Sequence, residues 1–216
     1  MCSVIPELFE AAMRAELKEQ RRSEIESAAL DVMRSRGYEG ASMLTIAKAA
    51  NASNETLYRW YGDKQRLFLE IVKSNVLDIE TALEKALTSS VRTEDTLDQI
   101  GRLLLGLLLG EREIALNRAA ASDATGKLGA AISRGNRDRI LPRIVQLMAA
   151  LRQTGVISAP SDEQAAEWYL TLLIGDLQIR RVIGTLPQPT RGQIKEHVAG
   201  VMPAFLQLCA ADQVGV

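Results

Sequence analysis

With 216 residues, 47% of them hydrophobic, the chain can bury a sizeable core, which excludes a disordered polypeptide. Its 26 basic and 27 acidic residues leave a net charge of -1, which excludes a surface coated in positive charge for nucleic acid. Two cysteines, Cys2 and Cys209, exclude a disulfide framework and a CxxC metal pair, and no apolar run nears the roughly 18 residues of a membrane span, so a soluble, cytoplasmic protein without membrane, metal or cofactor is expected.

Apolar residues recur at intervals of three and four along nearly the whole chain. There is no sustained alternation of period two and no Asn-Gly or Asp-Gly hairpin turn, so the expected fold is all-α. The first helix carries Ile25, Ala28, Ala29, Val32 and Met33 on one face and stops at Gly37. Pro6 suits an earlier first turn, from which Leu8, Ala12 and Ala15 extend a weaker stripe. Ser42 then caps a second helix with Met43, Ile46, Ala47 and Ala50 inward, and Asn51 falls where the chain turns sharply, in a backbone region that Asn tolerates. Ser53 caps a third helix that buries Leu57 and Tyr61. Asp63 caps a long fourth helix with Phe68, Val72, Val76, Ile79, Leu83 and Leu87 on its core face.

The polar stretch from Thr88 to Glu94 reads as a linker, after which a new core begins. Leu97 to Leu109 is apolar nearly all round and predicts a central, buried helix. Shorter segments, Ile114 to Ala121 and Thr125 to Gly135, lead into a helix that ends at Gly155, with Pro142 starting or kinking it. Ser161-Asp162-Glu163-Gln164 and Thr190-Arg191-Gly192-Gln193 are capping boxes, opening helices that reach about Gly184 and Cys209. About nine helices result. They divide into an N-terminal extension (1–20), a helix-turn-helix domain (21–68) and a C-terminal helical domain for ligand binding and dimerisation (69–212).

Charge and aromatics are uneven. Between Val32 and Phe68 six basic residues face three acidic ones, and Tyr38, Tyr58, Trp60, Tyr61 and Phe68 are five of the nine aromatics in the chain. Two short helices joined by a tight turn, braced by a helix before and after, can share a small core and leave the outer face of the second one free. That face carries Asn54, Glu55, Thr56, Tyr58, Arg59 and Trp60. Asn pairs with adenine, Arg with guanine or phosphate, Thr with a thymine methyl or phosphate, and a Tyr hydroxyl with phosphate. Lys64 opens the next helix, where its charge and the helix N–H groups both favour an anion.

The run IESAALDVMRSRGYEGASMLTIAKAANASNETLYRWYGDKQRLF, with GY before the small-residue turn, SM..IAKAA, S..TLYRWY and K..LF in register, resembles the DNA-binding domain of TetR-family transcriptional regulators. The resemblance implies that Ser42, Thr56, Tyr58, Trp60 and Lys64 contact phosphate or position the domain, and that Asn54, Glu55 and Arg59 face bases. Two departures stand out: Asn51-Ala52 replaces the family's usual Gly-Val, and Glu55 puts an acid on the reading face. The remainder, RTEDTLDQIGRLLLGLLLGEREIALNRAAA through WYLTLLIGDLQIRRVIG, is similar to the C-terminal domain of the AefR-like branch. That similarity implies an all-α domain for ligand binding and dimerisation.

Leu104, Leu108, Met148, Leu151, Trp168 and Leu172 form an expected second core whose methionine and nearby Gly106 and Gly175 suit a cavity for a small apolar effector. Tyr169 or Asp176 would meet the ligand's polar group. Asp176 lies inside an apolar run, where it pairs with an arginine or lines a cavity, and Trp168 and Tyr169 also suit plain helix packing. Gly175, Ile179 and Val182 on one late helix, and Ile194, Val198, Val201, Phe205 and Leu208 on the next, form an expected dimer interface of four-helix-bundle type. His197, the single histidine, reads as a surface or interface residue and Cys209 as a buried small one. No glycine-rich phosphate loop, GxSxG or His/Cys/Asp cluster with catalytic spacing is present, so no enzyme is expected. The sequence thus points to a homodimeric one-component regulator, a repressor of a palindromic double-stranded DNA operator, modulated by an apolar effector. The alternative is an adaptor of the same fold that binds protein.

Overall fold

A computed structural model describes residues 4–89 and 94–210, and no strand occurs among them. The helices are α1 (Val4–Gly40), α2 (Met43–Ala49), α3 (Asn54–Tyr61), α4 (Lys64–Ser89), α5 (Glu94–Leu108) and α6 (Glu111–Ser122). They continue with α7 (Lys127–Gly135), a π-helical turn (Asn136–Ile140), α8 (Leu141–Gln153), α9 (Asp162–Ile174), α10 (Leu177–Val182) and α11 (Arg191–Ala210). Since α7, the π turn and α8 are continuous, and only Gly175 and Asp176 separate α9 from α10, the described residues form nine helical rods, as the sequence leads one to expect. The chain divides into two compact units, Met1–Ile71 and Val72–Val216, and the division falls inside α4. Most of the polar stretch expected to act as a linker, residues 90–93, lies outside the described residues.

In the first unit α1 runs back to Val4, with Pro6 in its first turn, and residues 13–20 are exposed. A kink at Gly37, at φ 72° and ψ 168°, interrupts it where the sequence places its stop. From Ile25 onward its apolar face is buried, with Ile25 and Ala29 fully covered, and α1 packs on α2 and α2 on α3. The second unit is centred on α5, whose Leu97, Ile100, Leu104 and Leu105 have no exposed surface. The helix is not apolar-buried all round, however. Leu103, Leu107 and Leu108 are half-buried and Gly106 is exposed, because α9 and α11 cover only one side of it.

That covered side is tightly packed. The Tyr169 hydroxyl donates to the Leu97 carbonyl at 2.6 Å, and the Tyr169 ring meets Phe205 edge-on at 5.3 Å. A Cβ on Gly101 would come within 2.7 Å of the Tyr169 oxygen and 3.0 Å of Val198, so the glycine is what lets these helices approach. The π turn lies just before Pro142, whose ring would clash with the carbonyl four residues back, that of Asp138, in a regular helix. The expected single helix from Ser161 to Gly184 breaks at Gly175, which takes φ 48°.

Polar ties join the apolar layers. Arg143 reaches both Glu80 at 2.8 Å and Glu84 at 2.6 Å on α4, and Arg139 reaches Glu80 at 2.6 Å. Buried Arg181 on α10 donates to the carbonyls of Leu109 and Leu186 and to Glu111. Arg118 on α6 returns to the Val182 and Arg181 carbonyls at 2.8 and 2.9 Å, satisfying the open end of α10. Glu113, only 3% exposed, accepts from Asn75 Nδ2 at 2.6 Å and from Asn117 Nδ2 at 2.9 Å, tying α6 to α4.

Burial outweighs the amide hydrogen bonds at Glu113 and raises its carboxyl above the ordinary 4.5. A carboxyl that holds its proton more tightly folded than unfolded favours the fold most when protonated. Its contribution is lost as pH rises from about 4.5 through the folded value. Glu113→Gln removes this titration, so its melting temperature relative to the parent is expected to climb as pH rises above about 4.5. Thermal melts of both proteins across that range check it.

Candidate nucleic-acid interface

The reading face is built by two helices of seven and eight residues. Each is held by its ends. Ser42 and Thr45 form a reciprocal capping box, with Thr45 N–H donating to Ser42 Oγ at 3.2 Å and Ser42 N–H to Thr45 Oγ1 at 2.9 Å. Ser53 Oγ accepts from Thr56 N–H at 3.0 Å, and Asp63 Oδ1 from Arg66 N–H at 2.7 Å, so all three expected caps form. Asn51 takes φ 47° in the turn, the left-handed conformation its side chain tolerates. Gly62 ends α3 at φ 79°, which a residue with a Cβ would adopt only under strain.

Leu57 and Tyr61 are buried, and the opposite face of α3 exposes Asn54, Glu55, Tyr58 and Arg59, with Thr56 and Trp60 half-buried at its edges. Arg59 has no carboxylate partner among the described residues. Glu55 lies in the first turn of α3, where the helix dipole stabilises an acid, which gives it a structural reason to be there. Ser42 is exposed at the start of α2. The Lys64 ammonium donates to the Tyr38 carbonyl at 2.8 Å and lies 4.1 Å from the Tyr38 ring centre, while Tyr38 meets Phe68 edge-on at 5.7 Å. Lys64 therefore braces the end of α1 with one of its three donors and keeps two.

Two residues outside the motif also hold the site. Arg21 donates to the carbonyls of Ala50 and Asn51, each at 2.8 Å, closing the turn between α2 and α3. Arg22 pairs with Glu70 at 3.1 Å and lies over the Tyr61 ring at 6.0 Å. Nothing in their spacing marks them, because their partners are distant backbone and aromatic groups.

Of the expected effector residues, Leu104, Met148, Leu151 and Tyr169 are fully buried, and Leu108, Trp168 and Leu172 are half-buried. The Tyr169 hydroxyl is taken by Leu97, and burial pushes its ionisation well above the usual phenol range. Asp176 is exposed at the break after Gly175 and lies 3.8 Å from Arg180, the arginine partner the sequence allows for. An apolar cavity of about 200 Å³ opens elsewhere in the second unit, against Leu105, Leu109, Leu177, Leu186, Ile194 and His197. The expected dimer residues also divide. Val198 and Phe205 are fully buried against α5 and Tyr169 within the same chain and cannot meet a partner. Gly175, Ile179 and Leu208 are exposed, Val182 and Val201 are half-buried, and Ile194 is a cavity wall.

Residues 25–71 match the family described as bacterial regulatory proteins, tetR family, and residues 95–210 match the AefR-like transcriptional repressor C-terminal domain. The chain belongs to the TetR family. A TetR-family regulator from Mesorhizobium loti superposes with a TM-score of 0.77 at 27% identity, covering 88% of this chain and 96% of that one. A TetR regulator from Agrobacterium tumefaciens gives 0.67 at 26%, covering 87% and 93%. The Bacillus subtilis regulator FadR, in complex with stearoyl-CoA, shares the TetR fold at a TM-score of 0.71 and 14% identity, covering 86% and 98%. No curated protein matches the sequence.

On this TetR-type frame two groups of variants should separate. Tyr58→Phe and Lys64→Ala are expected to weaken cognate and random DNA alike, and the lysine variant to reduce the slope of log affinity against log salt by about 0.9. Lys64→Ala should also lower the melting temperature, through loss of the Tyr38 contacts. Titrations of both duplexes at several salt concentrations check this. Asn54→Ala and Arg59→Ala are expected instead to cost about 1 to 3 kcal/mol on the cognate site and to relax selectivity, as read in a randomised-duplex selection.

Proposed function

We propose that this TetR-family regulator is a one-component repressor that binds a palindromic operator as a homodimer through α3, with DNA affinity lowered by a small apolar ligand. One observation carries the reading: a short, doubly capped helix buries Leu57 and Tyr61 and leaves Asn54, Tyr58 and Arg59 exposed, inside the segment that matches the family's DNA-binding domain. A helix of this length suffices to touch a few base edges in a major groove about 12 Å wide. Phosphate contacts would come from Ser42, Thr56, Tyr58, Trp60 and Lys64, and base contacts from Asn54, Arg59 and Glu55. The protein acts in the cytoplasm and has no catalytic step. A compact apolar cavity in the second unit supports a small ligand, as does the fold's capacity, in the Bacillus subtilis protein, to hold stearoyl-CoA.

Dimerisation is supported by apolar side chains that stay open on the late helices. Ile179 is 56% exposed, Ile183 63% and Leu208 40%, and covering large apolar side chains of this kind favours association. Pairing two copies would cover them and supply two reading helices for the two halves of a palindrome. Ile179→Asp combined with Leu208→Asp should therefore give monomers in sedimentation where the parent sediments as a dimer.

Selection from a randomised duplex pool with the full chain tests the whole reading. Enrichment of a two-fold symmetric sequence is the expected result. Failure to enrich any duplex, with the chain folded, would favour the adaptor of the same fold.

A further inference from the structure

The cavity in the second unit has a chemistry of its own. Its walls come from α5 (Leu105, Leu109), α10 (Leu177), the connection before α11 (Leu186, Pro187, Pro189) and α11 (Gln193, Ile194, His197). All but two are apolar, none is a lysine or arginine, and two prolines fix the backbone of one wall. A ligand carboxylate or phosphate would find no lysine or arginine there.

The two polar residues are each half committed. Gln193 accepts with Oε1 from Thr190 N–H at 2.9 Å and from Thr190 Oγ1 at 3.2 Å, as the return arm of the capping box. Its amide nitrogen, a donor, has no partner among the described residues. His197 Nε2 lies 2.9 Å from the Leu173 carbonyl, which can only accept, so Nε2 is the donor there, and in the uncharged ring Nδ1 is left as an acceptor. The cavity therefore offers one donor and one acceptor on adjacent turns of α11. A hydroxyl answers both at once, whereas a carbonyl can only accept and an ammonium can only donate.

Size narrows the class further. The cavity, about 200 Å³ and open on the side of exposed Pro187 and Gln193, has room for a single ring with a short substituent, since about 150 Å³ already takes a benzene ring. The geometry points to this cavity as the effector site of the chain, selective for a one-ring, phenol-like molecule whose hydroxyl lies between His197 and Gln193. The inference rests on the reading of the chain as a ligand-modulated regulator. Occupancy would also have a consequence for the surrounding structure. Leu109 and Leu186, two of the walls, supply the carbonyls that hold buried Arg181, whose third contact is Glu111 on α6.

Titration calorimetry of the full chain with 4-ethylphenol, ethylbenzene and stearoyl-CoA tests the site without DNA. The expected result is one 4-ethylphenol per chain, ethylbenzene weaker by about tenfold for the lost hydrogen bonds, and no competition from stearoyl-CoA. His197→Phe should weaken 4-ethylphenol by a similar factor, and Leu186→Trp or Leu177→Phe should block it, in whichever of these variants melts within a few degrees of the parent. Three results would overturn the proposal: no binding of 4-ethylphenol to the parent, equal binding of ethylbenzene, or undiminished binding to the folded blocking variants. A parallel operator titration separates the two readings. Retained DNA binding without phenol binding removes this site alone, and phenol binding that leaves operator affinity unchanged leaves a phenol site but overturns its role as the effector site.

Discussion

Helices of seven and eight residues do not persist alone in water, where roughly 12 to 15 residues are needed to offset the cost of nucleation. In the first unit α2 and α3 therefore exist only as parts of a shared core, and everything that can act as a reading face follows from that constraint. Ile46, Ala47, Leu57 and Tyr61 must face inward, which forces Asn54, Glu55, Tyr58 and Arg59 outward. The caps at Ser42, Ser53 and Asp63 and the two Arg21 hydrogen bonds satisfy the backbone groups that such short helices leave open. Rigidity at this face is thus a product of end-capping and of three braces, Arg21, Arg22 and Lys64, more than of helix length.

Much of this was legible in the sequence because its causes are local. A Ser or Thr three residues ahead of its partner, an Asn at a left-handed turn and a Pro in a first turn each announce a structure within a few residues of themselves, and Ser42, Asn51, Thr190 and Pro142 behave accordingly, while Ser161 makes the N-cap bond alone because the Gln164 side chain turns to Glu167. The break at Gly175 was hidden by the apolar run around it, which reads as one continuous helix.

The second unit shows where local reading stops. Periodicity says that a helix has an apolar face but not which neighbour covers it, so Val198 and Phe205 look like interface residues until α5 and α9 are seen to enclose them. From the sequence, Tyr169 or Asp176 is expected to meet a ligand's polar group. Tertiary packing gives one a backbone carbonyl and leaves the other exposed beside Arg180. The cavity walls at Leu186, Pro187 and Pro189 belong to an irregular connection with no period to mark it. Arg181, Arg118 and Glu113 hold helices together through partners far away in sequence, and charge patterning along one helix contains no trace of such contacts.

The central claim is that the exposed face of α3 is the surface that meets DNA, and residue-resolved amide mapping tests it most directly. The isotope-labelled full chain is titrated with its selected duplex, and the change at each backbone amide is followed. The account predicts that the largest changes fall on residues 42–64, led by the exposed positions of α3 and the start of α4. Saturable binding to the duplex with residues 54–61 unperturbed, and the changes confined elsewhere in the chain, would contradict it.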